Sequence, residues 1–196
     1  HMIGNLKVYQ GREAFNHYAE GLRTLGAPFF GNSQLLWILR IILLVAVLVH
    51  IIAATQLTLQ SKRARPVEYK KYAGDMVFSY ASRTMVWGGI IILLFVLYHL
   101  MHFTWGNAHP DFIHGDAYHN FITGFQVVPV AFVYILAMIP LGLHLYHGFW
   151  SMLQTLGANN ARYNHLRRPV AAALALLVTL VNISFPIAVL SGILRL

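Results

Sequence analysis

The chain has 196 residues, of which 58% are hydrophobic and only 10% charged, too few polar groups to clothe a soluble domain of that length. A formal charge of +8 would suit a nucleic-acid binder, but the basic residues gather in two segments beside apolar runs. That is a mark of membrane topology, so no nucleic-acid partner is expected. With no cysteine the chain forms no disulfide, offers no thiolate to an iron–sulfur cluster and carries no C-x-x-C-H attachment for covalent haem.

The pattern predicts an all-α fold, a multi-pass transmembrane helix bundle forming one domain over 1–196. Residues 1–8 read as a partial span, the end of a helix whose first half would precede the given sequence, and no signal-peptide pattern is visible. His1-Met2 is also a common remnant of a cloning site. Complete spans are predicted at 35–59, 85–104, 124–154 and 169–195, each near or above the roughly 20 residues that cross a bilayer core. The first carries Arg40 and His50, the second His99 and His102, the third His144 and His147; the fourth has no histidine. Loop 60–84 holds Lys62, Arg63, Arg65, Lys70, Lys71 and Arg83, and loop 154–169 holds Arg162, Arg167 and Arg168. Loop 104–126 has no Lys or Arg. Basic loops stay on the cytoplasmic side, so loop 104–126 should face outside. Its Asp111, His114 and His119 can carry protons, though a solvated loop of turn residues is the favoured reading. Trp37, Trp87, Trp105 and Trp150 fall near span ends, as an interfacial belt would. In the last span Pro186 predicts a kink and Asn182 an interhelical hydrogen bond.

Five histidines at membrane depth need a common explanation, because an ionisable side chain in hydrocarbon faces the bundle interior and has a partner there. At about 1.5 Å per residue, His50 and His144 each lie roughly 15 Å from the cytoplasmic end of their spans, while His99 lies roughly 24 Å in. The first two can share one iron; His99 needs another partner, and His1 is the candidate from another helix. Haem with both axial positions filled by imidazoles from facing helices suits electron transfer alone. His102 and His147 follow His99 and His144 by three residues on about the same face, so spacing alone leaves either member of each pair as the ligand. Arg40 would pair with an outer propionate or snorkel to the interface; Arg83 would meet an inner propionate or a quinone, or act as a plain anchor.

Several segments together resemble the cytochrome b subunit of succinate dehydrogenase and fumarate reductase, the five-helix, di-haem, single-chain type. They are His1-Met2-Ile3-Gly4-Asn5-Leu6, Ala14-Phe15-Asn16, Leu48-Val49-His50-Ile51, Tyr98-His99-Leu100, Tyr118-His119, Gly124-Phe125-Gln126 and the run from Gly142 to Ser151. The resemblance covers nearly the whole chain and implies five spans, the first truncated here. It implies two haem b groups, one held by His1 and His99 and the other by His50 and His144, with His102 and His147 beside them. It further implies a flavoprotein subunit and an iron–sulfur subunit on the basic face, quinone (menaquinone favoured) as electron partner, and a place in the bacterial cytoplasmic membrane. The chain would then be the non-flavin membrane subunit of a succinate:quinone oxidoreductase, with no succinate oxidation of its own. The competing readings are the cytochrome b anchor of another quinone-linked enzyme, such as hydrogenase or formate dehydrogenase, and a proton-coupled transporter. The latter would be expected to show inverted repeats or broken helices, and neither is visible.

Overall fold

The computed structural model describes residues 1–64, 84–158 and 160–196. Among them the chain is 77% helix and has no strand. Its elements are α1 (Met2–Asn5), a 3-10 segment (Leu6–Gln10), α2 (Arg12–Gly21), α3 (Gln34–Ala64), α4 (Met85–Leu100), a π turn (Met101–Trp105), α5 (Ala117–Gln126), α6 (Val128–Thr155), a 3-10 turn (Asn164–Leu166) and α7 (Arg167–Leu190). Four stretches are long and apolar enough to cross a membrane: Gln34–Ala64, Met85–Trp105, Val128–Thr155 and Asn164–Leu190. The protein is therefore a multi-pass helical membrane protein.

The described residues group into two compact units, one of 1–16 with the residues from 84 onward, the other of 17–64. The second unit is dominated by α3. Its 31 residues would span about 46 Å, more than a bilayer core needs. The surplus lies at the C-terminal end, where Lys62 and Arg63 occupy the last turn and complement the helix dipole. Thr58 buries its hydroxyl polarity by donating to the Ala54 carbonyl at 2.8 Å.

In the first unit α6 packs between α4 and α7. Small residues set the approach. A Cβ at Gly88 or Gly89 of α4 would touch Pro140 or His144 of α6 at 3.9 Å, while a Cβ at Gly142 would fall 2.5 Å from Thr179 Oγ1 of α7. Gly142 therefore lets α7 come closer than any side chain permits, the usual device where lipid supplies no hydrophobic drive between helices. The outward faces carry exposed Leu94, Phe132, Leu177 and Leu180, a surface suited to acyl chains.

The buried core of this unit sits at one end, where Val8, Phe15, Phe121, Ile122, Phe125, Tyr134, Phe185 and Val189 meet. Much of it comes from α5, a helix inside the segment read as a loop. Asp116 caps α5 by accepting the His119 N–H at 3.0 Å, and Tyr118, Phe121, Ile122 and Phe125 line its buried face. The third span consequently begins at Val128 instead of 124. Val127 is extended (φ −76°, ψ 101°), and the proline just inside α6 tolerates a helix start because its missing N–H would have no intrahelical acceptor there. The fourth helix runs from Arg167 to Leu190 instead of 169–195. Gly192 turns at φ 77°, and Leu194 folds back to donate to the Ala188 carbonyl at 3.0 Å. Met2–Asn5 are α-helical, and the chain tightens to 3-10 geometry over Leu6–Gln10.

Asn182 departs from expectation. Its amide donates to the Val178 carbonyl of its own helix at 2.8 Å instead of reaching across to a neighbour. The bond from α7 to another segment comes from Ser184. Its hydroxyl donates to the Val181 carbonyl, so it receives the Tyr9 hydroxyl proton at 2.9 Å.

Candidate functional site

His99 ends α4, and the π turn that follows carries His102. A π turn widens the helix by one residue per bond, a distortion that concentrates at functional sites. The three-residue spacing does put both rings on one face: Nδ1 of His99 lies 3.3 Å and Nδ1 of His102 3.0 Å from the hydroxyl of Tyr134 on α6. Tyr134 is itself held edge-on by Phe95, Phe103 and Phe125, at ring separations of 4.9, 5.7 and 5.0 Å. The two histidines differ in access. His102 is 0% exposed, stacked between Tyr98 at 5.6 Å and His109 at 4.8 Å, whereas His99 is half-buried.

His1 comes to His99, with ring centres 6.4 Å apart and planes crossed at 78°. Two imidazoles bound through nitrogen on opposite sides of one metal, at about 2.0–2.1 Å each, have ring centres about 6.3 Å apart. The observed 6.4 Å is close to that separation. Neither ring is enclosed, since His1 is exposed and His99 half-buried. Among the described residues no three His, Asp or Glu side chains converge on a point, as a metal held only by protein would require. A porphyrin supplies four nitrogens itself and asks the protein for two, which is what His1 and His99 offer. The pair therefore fits haem and does not fit a bare structural metal.

His109 closes the far side of this cluster. The Asp111 N–H donates to its Nδ1 at 3.0 Å, so its proton sits on Nε2, which donates to the Asn120 carbonyl at 2.7 Å. Asn120 also exchanges two hydrogen bonds with the Ile113 backbone, at 2.7 and 2.8 Å. The segment is thus pinned and not a simple solvated loop. Asp111 pairs with His119 at 2.9 Å, and His114 packs on Phe112 at 5.1 Å. Asp116 binds Arg12, and it accepts from Asn16 Nδ2 at 2.9 Å. Asn16 in turn accepts the Tyr118 N–H at 2.8 Å. Burial alone would raise the Asp116 pKa. The His119 N–H, the Asn16 amide and the Arg12 guanidinium outweigh it and hold the carboxyl below its ordinary value.

Farther along α6, the His144 ring lies against the backbone of α4 at Gly89. His147 Nδ1 is buried with no hydrogen-bond partner among the described residues, and its ring stands 5.7 Å from Trp150. Arg168 covers Trp150 at 5.2 Å. Beside it, Nε and Nη1 of Arg167 are buried with no acceptor among the described residues, a costly arrangement for a cation. The sequence had marked Arg167 only as a topology charge. His50 and Arg40 belong to α3 of the second unit, where Arg40 lies over Trp37 at 5.0 Å, in keeping with an interfacial position. Arg83 lies outside the described residues.

Tyr134, His109, Asn120 and Arg167 carry the site without having stood out in sequence. Tyr134 sits in an apolar run where an aromatic residue signals core, while the Asp116 cap followed by Phe121, Ile122 and Phe125 was the available sign of α5. Comparison with protein-family models, with curated proteins and with solved structures finds no match.

Proposed function

We propose that this chain is the haem-carrying membrane anchor of a succinate:quinone oxidoreductase, and that it passes electrons between an iron–sulfur subunit and membrane quinone. The observation that supports this most is the His1–His99 pair, 6.4 Å apart in a multi-pass helical bundle, with His99 Nδ1 engaged by Tyr134. A histidine whose second nitrogen is hydrogen-bonded keeps its ring orientation and offers the other nitrogen as ligand. His1 and His99 would hold the outer of two haem b groups, His50 and His144 the inner. When bound, haem supplies one-electron transfer and no more, because both axial positions are taken.

The remaining groups orient and screen. Arg167, with buried guanidinium nitrogens lacking acceptors, would take a carboxylate of the inner group, as Arg83 would from the adjacent loop. Arg40 would serve the outer one. His102 shares the Tyr134 hydroxyl with His99, and His147 packs on Trp150. Arg162, Arg167 and Arg168 make one end of the α6–α7 pair basic, and Lys62 and Arg63 lie in the last turn of α3. By the positive-inside rule that end is cytoplasmic, in the bacterial inner membrane, and suits docking of flavoprotein and iron–sulfur subunits. Quinone, with menaquinone favoured, would react within the membrane.

A pyridine haemochrome assay on the purified protein tests the reading. Two haems per chain are expected, together with co-purification of a flavoprotein and an iron–sulfur protein. Absence of a Soret band would refute haem binding, and a hydrogenase or formate dehydrogenase partner would reassign the complex.

A further inference from the structure

We propose that the Tyr134 hydroxyl, shared between His99 and His102, decides which of the two presents an Nε2 lone pair, and that it selects His99 as ligand. The assignment of a ligand rests on the haem reading; the hydrogen-bond logic does not. A phenol has one hydrogen, and a neutral imidazole has one N–H. If Tyr134 donates to His102 Nδ1, the His102 proton must sit on Nε2, which then has no lone pair for a metal. The phenol oxygen is left to accept the Nδ1–H of His99, whose Nε2 is free. Reversing the hydroxyl reverses both roles. Two Nδ1–H tautomers would strand the phenol hydrogen, and two Nε2–H tautomers would leave one Nδ1 without a donor. Tyr134 is 7% exposed and His102 0%, so water does not relieve either fault.

The surroundings break the symmetry. His99 has His1 opposite it at 6.4 Å. His102 has no free ring to face: its neighbour His109 already uses both nitrogens, on the Asp111 N–H and the Asn120 carbonyl. The His102 ring is clamped between Tyr98 and His109. The direction is therefore His99 Nδ1–H to Tyr134 oxygen, then Tyr134 O–H to His102 Nδ1. His102 is a positioning residue that orients the hydroxyl. Tyr134, by accepting from the ligand's second nitrogen, raises its basicity and lowers the reduction potential of the outer haem.

The test is Tyr134→Phe in the intact complex, followed by redox titration and low-temperature EPR. Both haems should remain, and only the outer one should become easier to reduce. The expected change is about tenfold in its oxidised-to-reduced ratio at fixed ambient potential, about 59 mV for a one-electron couple. An unchanged outer potential and EPR signal would overturn the proposal. His102→Phe and His99→Ala provide a second arm: the first should keep the outer haem, and the second should lose it. Loss in the first with retention in the second would make His102 the ligand and overturn it as well. Should the wild-type protein carry no haem, the proposed function fails on its own. In that case 15N NMR of the apoprotein reads the relay separately: opposite tautomers at His99 and His102 support it, and identical tautomers refute it.

Discussion

Gly142→Ala introduces a methyl group where α7 leaves none of the room it needs. The new Cβ would lie 2.5 Å from Thr179 Oγ1, against 3.4 Å or more for ordinary contact, so about 1 Å must be found by moving a helix or turning Thr179. Overpacking of this kind costs about 1–3 kcal/mol, while replacing a helical glycine by alanine gains about 1 kcal/mol, so the net loss should be about 0–2 kcal/mol. Thr179→Ala removes the obstructing oxygen and leaves the Thr179 Cβ, 3.6 Å away, as the nearest atom. In that background Gly142→Ala should stabilise by up to about 1 kcal/mol. Thr179 Oγ1 has no hydrogen-bond partner among the described residues, so its removal breaks no bond that would confuse the comparison. A double-mutant cycle, read by reversible unfolding in mixed micelles, should give a coupling of about 1–3 kcal/mol. Additivity within about 0.5 kcal/mol would refute the close α6–α7 approach. Because Gly142 precedes His144 by two residues on the same helix, the single mutant should also lower haem content before it lowers expression.

Further outcomes follow from the site. His50→Ala or His144→Ala should remove one of two haems and leave the other, whereas His147→Ala should keep both; haem loss in His147→Ala with retention in His144→Ala would shift the ligand register by one turn. The depressed Asp116 pKa means that its contribution is present above the unfolded carboxylate value, about 3.9, and is lost as pH falls through the lower folded value. Acid melting curves should therefore show destabilisation below about pH 4 that Asp116→Asn lacks, and parallel curves would refute the cap and ion pair. Arg167→Gln should weaken retention of the inner haem in a haem-transfer assay. If it instead raised thermal stability with haem retention unchanged, the buried guanidinium would have no anion to serve.

The spans were legible because the bilayer imposes a length and a composition on any helix that crosses it, and hydropathy reads both. What it does not read is where a helix stops once the chain reaches the interface. Residues 117–126 fell largely within the segment read as a loop, and only the extended Val127 separates α5 from α6. Asn182 was assigned a partner on another helix, but a carbonyl one turn back was nearer. The different depths of His99 and of His50 and His144 were accessible because rise per residue is nearly constant. Tyr134 was not, since a hydroxyl that bridges two histidines is defined by three points in space and by no local spacing. His109 was hidden for a similar reason: its tautomer is set by Asp111 and Asn120 together.

The N-terminal segment is tied down by partners made long after it. Tyr9 waits for Ser184, and Arg12 and Asn16 wait for Asp116. At about 5–20 residues per second, the 175 residues between Tyr9 and Ser184 take on the order of 10–35 s to synthesise. The Tyr9–Ser184 bond can therefore close only after the last helix has been made. Assembly of the first unit is thereby ordered by the chain itself: its long helices come first, and the bonds that tie down its N-terminal segment last.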